Sequence, residues 1–193
     1  GPGAAVPFTL KEEPVTARRG VAYNSYAHSF AGMALQFLLF VAIDFGIALL
    51  LERQGGLWKR VRSAPLSRTA LLLGKTAAGA LVGLVSVAAT FAFGIVVLGV
   101  RVEGSVAGFV LLLLASALMA SSFGLLLAAL GRTPGATRGL AILAVLLLVM
   151  LGGGWVPAFV FPAWLQKATL VLPTRWAIDG LDAVTWRGAG RAP

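Results

Sequence analysis

The sequence contains no cysteine, which removes disulfides, thiolate metal sites and a cysteine nucleophile from the chemistry open to it. It has one histidine, His28; a metal centre needs several clustered ligands, so none is expected. Charge is scarce as well, 12% of residues where an ordinary soluble domain carries about 25%. Acids are the scarcer sign, 7 Asp and Glu against 16 Lys and Arg. Known catalytic signatures are missing too, with no His-Glu-x-x-His and no Gly-x-Ser-x-Gly, and the sole histidine that could serve Ser116, Ser121 or Ser122 as a base is at an outer end of another helix. An intramembrane enzyme is therefore disfavoured. Gly74-Lys75-Thr76 imitates the end of a phosphate-binding loop, but Thr69 stands where that loop needs its first glycine, and Ala70 to Leu73 are too apolar to cradle phosphate. No cofactor is expected to bind this chain, and its energy source must lie elsewhere.

What fills the sequence is apolar: 59% hydrophobic residues and a mean hydropathy of +0.91. That composition predicts an all-α polytopic membrane protein of a single membrane domain, 1–193, in the plasma (inner) membrane. A net charge of +9 would suggest nucleic acid in another context. Here the bases sit in short loops beside apolar runs, which the positive-inside rule explains, so the expected partner is the lipid bilayer and not nucleic acid.

Four apolar runs are predicted to be transmembrane helices, 29–51, 69–100, 106–130 and 139–155. As a helix the first spans roughly 34 Å, enough for a hydrocarbon core of about 30 Å. The segment 1–28, with Pro2, Pro7 and Pro14 and charges of both signs, reads as an outer-face segment; it lacks the basic start and short apolar core of a signal peptide. The first residue is not Met and the last follows directly on an amphipathic stretch, so both ends are expected to be cut from something longer. The loop 52–68 sets Arg53, Lys59, Arg60, Arg62 and Arg68 against the single acid Glu52, and the loop 131–138 has Arg132 and Arg138 with no acid. Both are assigned to the cytoplasm. Within 52–68, Leu57, Trp58 and Val61 share a face suited to the membrane boundary, Pro65 ends that short helix, and Ser67 is placed to cap the next one. The last stretch, 156–188, is apolar but broken by Pro157, Pro162 and Pro173 and charged at Arg175, Asp179 and Asp182. A straight span there would bury charge, so re-entrant or interfacial outer helices are expected, with Trp155, Trp164, Trp176 and Trp186 at the interface.

Particular residues draw attention. Asp44 and Lys75 are the ionisable residues inside spans; counted from the ends of the loop between them they lie at similar depth, and an intramembrane ion pair is expected. Gly152, Gly153 and Gly154 predict an outer hinge or a break before the re-entrant part, which also holds Pro157, Pro162, Trp164, Pro173 and Trp176. Gly79-x-x-x-Gly83 is a small-residue set that allows close helix approach, within the chain or to another copy. His28, beside Tyr23 and Tyr26, reads as an interfacial residue. Arg175, Asp179 and Asp182 are at spacings that allow local pairs on one helix.

Several short motifs then occur in a telling order: Glu52-Arg53, Ala64-Pro65-Leu66-Ser67, Gly74-Lys75, Phe161-Pro162-Ala163-Trp164-Leu165-Gln166, and Leu172-Pro173-Thr174 followed by Trp176. Together they resemble the permease subunit of ABC-2-type transporters, the type V ABC exporter membrane subunit. The resemblance implies six membrane helices, of which the first and sixth are missing here. It also implies a second permease copy as partner, as a homo- or heterodimer, and a cytoplasmic ATP-binding-cassette ATPase that uses ATP on the permease's behalf. The loop 52–68 would then be the ATPase-coupling loop, with Glu52, Arg53, Leu57, Trp58, Lys59, Arg60, Arg62 and Pro65 as its contact residues. The cargo would be lipophilic: a drug, antibiotic, lipid or glycan carrier. The alternative is a non-transporting membrane anchor for a soluble partner, which the basic loop fits equally.

Overall fold

The computed structural model describes residues 23–56, 67–100 and 102–187. Its four long helices are each apolar and long enough to cross a bilayer, and among the described residues there is no strand. The first, α1 (Ser25–Gln54), is capped by Asn24, whose side chain accepts the Ala27 N–H at 3.0 Å. It runs past Leu51, so Glu52 and Arg53 are helical. The second, α2 (Arg68–Leu98), starts at Ser67, whose Oγ accepts the Ala70 N–H at 3.1 Å, the capping role expected of it. It stops where Gly99 turns left-handed, φ 67°. The third, α3 (Val106–Leu130), is capped by Ser105. The fourth, α4 (Pro134–Leu151), starts at Pro134, earlier than the expected Gly139, because a proline in the first turn loses no helical hydrogen bond. Arg138 therefore lies on a helix and not in a loop.

α1 is the hub: Leu35, Leu38, Leu39 and Leu50 are fully buried, and it packs on α3, α4 and α2. Membrane helices have no hydrophobic drive to associate within lipid and instead rely on close packing. The α1–α3 crossing shows this, since a Cβ on Gly46 would stand 2.6 Å from the Gly124 carbonyl oxygen. Gly79 and Gly83 do the same on α2, against Phe45 and Leu38 of α1. The small-residue set is thus a seam within the chain. Phe30, Phe91 and Phe109 join α1, α2 and α3 through edge-on contacts, with ring centroids 5.3 and 5.1 Å apart. Outward faces are apolar, as at Leu73, Val96, Leu111 and Leu140, which suits lipid.

α4 ends at the glycine cluster, where Gly153 adopts φ +91°. Short pieces follow: a 3₁₀ turn Ala158–Val160, α5 (Ala163–Ala168), a 3₁₀ turn Thr169–Val171, and α6 (Pro173–Thr185). None of them is a span among the described residues. α6 turns back and buries Ile178, Leu181 and Val184 against α1 and α3. Gln54, Arg68, Leu130 and Pro134 mark one end of the bundle, the loop end, and the glycine cluster lies at the opposite, far end.

Candidate functional site

At the loop end, three consecutive residues of α1 reach three different neighbours. An α-helix turns about 100° per residue, so Glu52, Arg53 and Gln54 radiate in three directions. Glu52 Oε2 lies 2.6 Å from Lys75 Nζ of α2, with the side chains 33% and 29% exposed. Arg53 donates from Nη1 to the Ala129 carbonyl at 2.7 Å and from Nη2 to the Gly131 carbonyl at 2.8 Å. These carbonyls belong to the unsatisfied C-terminal end of α3, where a cation is also favoured by the helix dipole. Gln54 Nε2 donates to the Arg132 carbonyl at 2.7 Å. The last turn of α1 thus holds the ends of α2 and α3 and the turn into α4. Leu57, Trp58, Lys59, Arg60, Arg62 and Pro65 lie outside the described residues.

The expected Asp44–Lys75 pair is corrected by this geometry. Gly79 faces Phe45, so Lys75, four residues nearer the loop, lies beside the turn of α1 that leads to Glu52 and not beside Asp44. Counting depth from the loop ends failed because α1 continues to Gln54. Asp44 instead meets Arg138 of α4, Oδ1 to Nη2 at 2.7 Å, with the side chains 64% and 50% exposed. On the same side of the bundle Trp155 Nε1 donates to Gln36 Oε1 at 2.7 Å. Charge exposed to hydrocarbon costs several kcal/mol, so this α1–α4 face is chemically unlike the plain apolar faces of α2 and α3.

The far end holds a site the sequence reading did not find. His28 Nδ1 lies 2.7 Å from Asp182 Oδ2, the two side chains 3% and 2% exposed. The histidine is therefore a buried partner of α6 and not an interfacial residue. Arg187 Nη2 stands 3.7 Å from the same oxygen, and Tyr23 packs on His28, Phe159 and Trp186. Burial first, and the Asp182 carboxylate second, push the Tyr23 phenol above its usual range. Backbone bonds from Glu103 and Gly104 to the Thr185 and Val184 carbonyls dock the α2–α3 turn on α6. Arg175 and Asp179 do form the local pair expected from their spacing, at 2.6 Å. A signal for the buried pair was available, a lone histidine and an acid in an apolar stretch, but nothing in the pattern joined two residues 154 positions apart.

The glycine cluster is tightly packed. A Cβ on Gly32 would overlap the Gly154 carbonyl, and Thr174 Oγ1 donates to the Leu148 carbonyl at 2.8 Å. Pro162 and Pro173 open α5 and α6, Pro157 precedes the first 3₁₀ turn, and Trp164 and Trp176 are exposed. No cluster of three metal-ligating side chains occurs among the described residues.

Comparison with known proteins places this arrangement. The family model for the ABC-2 type transporter matches residues 8–186. The chain is 25% identical over 189 residues to the linearmycin resistance permease protein LnrN of Bacillus subtilis, covering 95% of this chain and 48% of that one. It is 31% identical over 146 residues to the inner membrane transport permease YhhJ of Escherichia coli, covering 75% of this chain and 39% of that one. The chain thus spans less than half the length of these curated relatives. No solved structure matches.

Proposed function

Because the chain belongs to the ABC-2 type transporter family and is a multi-pass membrane component of a transport permease, we propose that it forms part of the membrane half of an ATP-driven exporter. The loop 52–68 lies at the cytoplasmic surface and docks on a separate ATP-binding-cassette ATPase, which binds the ATP. Leu57, Trp58, Lys59, Arg60 and Arg62 supply the docking face. The observation that carries this reading is the triple tie at the base of the loop. A force applied to the loop arrives at Glu52, Arg53 and Gln54, and from there reaches Lys75, the α3 terminus and the α3–α4 turn. One partner pulling on one loop can therefore move all four spans together.

The cargo is an amphipathic, largely lipophilic molecule. Two features support this: the printed name of LnrN, a linearmycin resistance permease, and the mixed α1–α4 face, where Asp44–Arg138 and Gln36–Trp155 interrupt an apolar wall. A second permease copy facing it would enclose the path. The test is copurification of the ATPase together with ATP-dependent efflux. Trp58→Ala with Arg60→Ala is expected to lose both, while Arg53→Gln is expected to keep ATPase binding and lose efflux. Efflux that survives both variants would refute coupling through this loop.

A further inference from the structure

Between the loop-end halves of α1, α2 and α3 lies a cleft of about 520 Å³. Its floor is Leu49 and Ala128, both buried, and its rim is Leu72 and Leu126, each about half exposed. Arg53, bonded to the Ala129 carbonyl, lines the loop-end side, and the exposed Ser122 lines α3 about two turns farther from that end. The volume is that of a small-molecule site, and its walls along α3 extend roughly 10 Å from the bundle end. A convex lipid-facing helix has no such recess, so what enters this one is held on three sides.

The arginine on the loop-end side is what narrows the choice of occupant. Its guanidinium is fixed by the Ala129 and Gly131 carbonyls, so the entropy of ordering that long side chain is already spent in holding the helix ends. Each carbonyl takes one N–H, and a guanidinium has more N–H donors than these two bonds use. Lys75, the other cation nearby, is neutralised by Glu52. Arg132, whose carbonyl holds Gln54, adds positive charge at the same end of the bundle. An apolar recess below a pre-oriented, phosphate-matching cation at the bilayer boundary is the two-part shape of an anionic phospholipid.

The geometry points to a specific binding site for one anionic glycerophospholipid of the inner leaflet, with an acyl chain in the cleft and its phosphate on Arg53. The site rests on the loop end facing the cytoplasm, as proposed above, and not on any ATPase docking there. A lipid so placed braces the triple tie from below and makes the base of the loop sensitive to membrane charge.

The test is native mass spectrometry of the purified protein, titrated separately with phosphatidylglycerol and phosphatidylcholine in the absence of nucleotide, so its result is independent of the ATPase reading. The expected result is retained phosphatidylglycerol, bound about tenfold more tightly than phosphatidylcholine: both offer a phosphodiester to Arg53, but the choline cation of the second is repelled by that arginine and leaves the headgroup without net negative charge. Arg53→Gln should bring the two lipids to parity, and Arg53→Lys should keep part of the preference, as a charge without the fork. Ser122→Phe adds a ring to the cleft lining about two turns of α3 away from the residues that hold Arg53. Ser122 bonds only within its own helix, to the Leu118 carbonyl, so this variant should fold and release both lipids. Three results would overturn the site: equal retention of the two lipids by the unaltered protein, retention unchanged by Ser122→Phe, or no lipid retained at all, the last meaning that protein and not lipid occupies the cleft.

Discussion

The two ends of this bundle are tied by opposite kinds of bond. At the far end α1 is joined to α6 by His28 and Asp182, nearly sealed from solvent at 2.7 Å. At the loop end α1 is joined to α2, α3 and the α3–α4 turn by bonds that are partly exposed and in three cases directed at backbone carbonyls. A buried pair is costly to open, because each half left behind is an unpaired polar group out of water. Exposed bonds to carbonyls break and reform cheaply, since water substitutes for either partner. The far-end pair is therefore the costlier of the two ties to open.

That contrast can be broken most severely at the far end. Asp182→Leu, or His28→Leu alone, should lower the stability of the purified protein by about 3–5 kcal/mol, the range for breaking a buried pair, while the double change should cost clearly less. Thermal unfolding of the three variants in one detergent measures this, and equal losses for single and double changes would show that the two side chains do not act as a pair. Next in size is Gly46→Ala at the α1–α3 crossing, where the new methyl meets the Gly124 carbonyl. Overpacking of this kind costs roughly 1–3 kcal/mol, seen as a lower unfolding temperature, whereas Gly74→Ala, with open space around it, should not destabilise. At the loop end Arg53→Gln should cost only about 1 kcal/mol in the same assay, the scale of a helix-terminus charge and cap. A much larger loss would mean that the loop end is as rigid as the far end. The smallest effect is expected for Lys75→Met, below about 1 kcal/mol because the pair with Glu52 is about a third exposed. Pairing Asp44→Asn with Lys75→Met should add without interaction, since the two residues have different partners.

Much of the architecture was legible before any coordinates. The four spans, the break after Leu151 and the short helices between Pro157 and Trp186 follow from run length, glycine and proline. Ser67 as a cap and Arg175–Asp179 as a local pair follow from spacing along one helix. The family resemblance, carried by short motifs in order, agrees with the family model that matches 8–186. What escaped were the partners across helices. Distance from the loop suggests similar depths for Asp44 and Lys75, but depth is set by where α1 ends and how Gly79 seats on Phe45, and each helix turn of error moves a residue about 5.4 Å. His28 reads as interfacial from its neighbours alone, because nothing local shows that α6 folds back over it.

Composition and periodicity alone decided that this chain lies in a membrane, which four described segments are long and apolar enough to cross it, and where positive charge collects, because those depend on length and on transfer out of water, which each segment satisfies by itself. Only the packed bundle decided which charges meet. Helix register comes from glycines and phenylalanines fitting one another across the seam, and a side chain finds its partner after the backbones have approached. The buried His28–Asp182 pair and the three-way grip of Glu52, Arg53 and Gln54 both arise at that step.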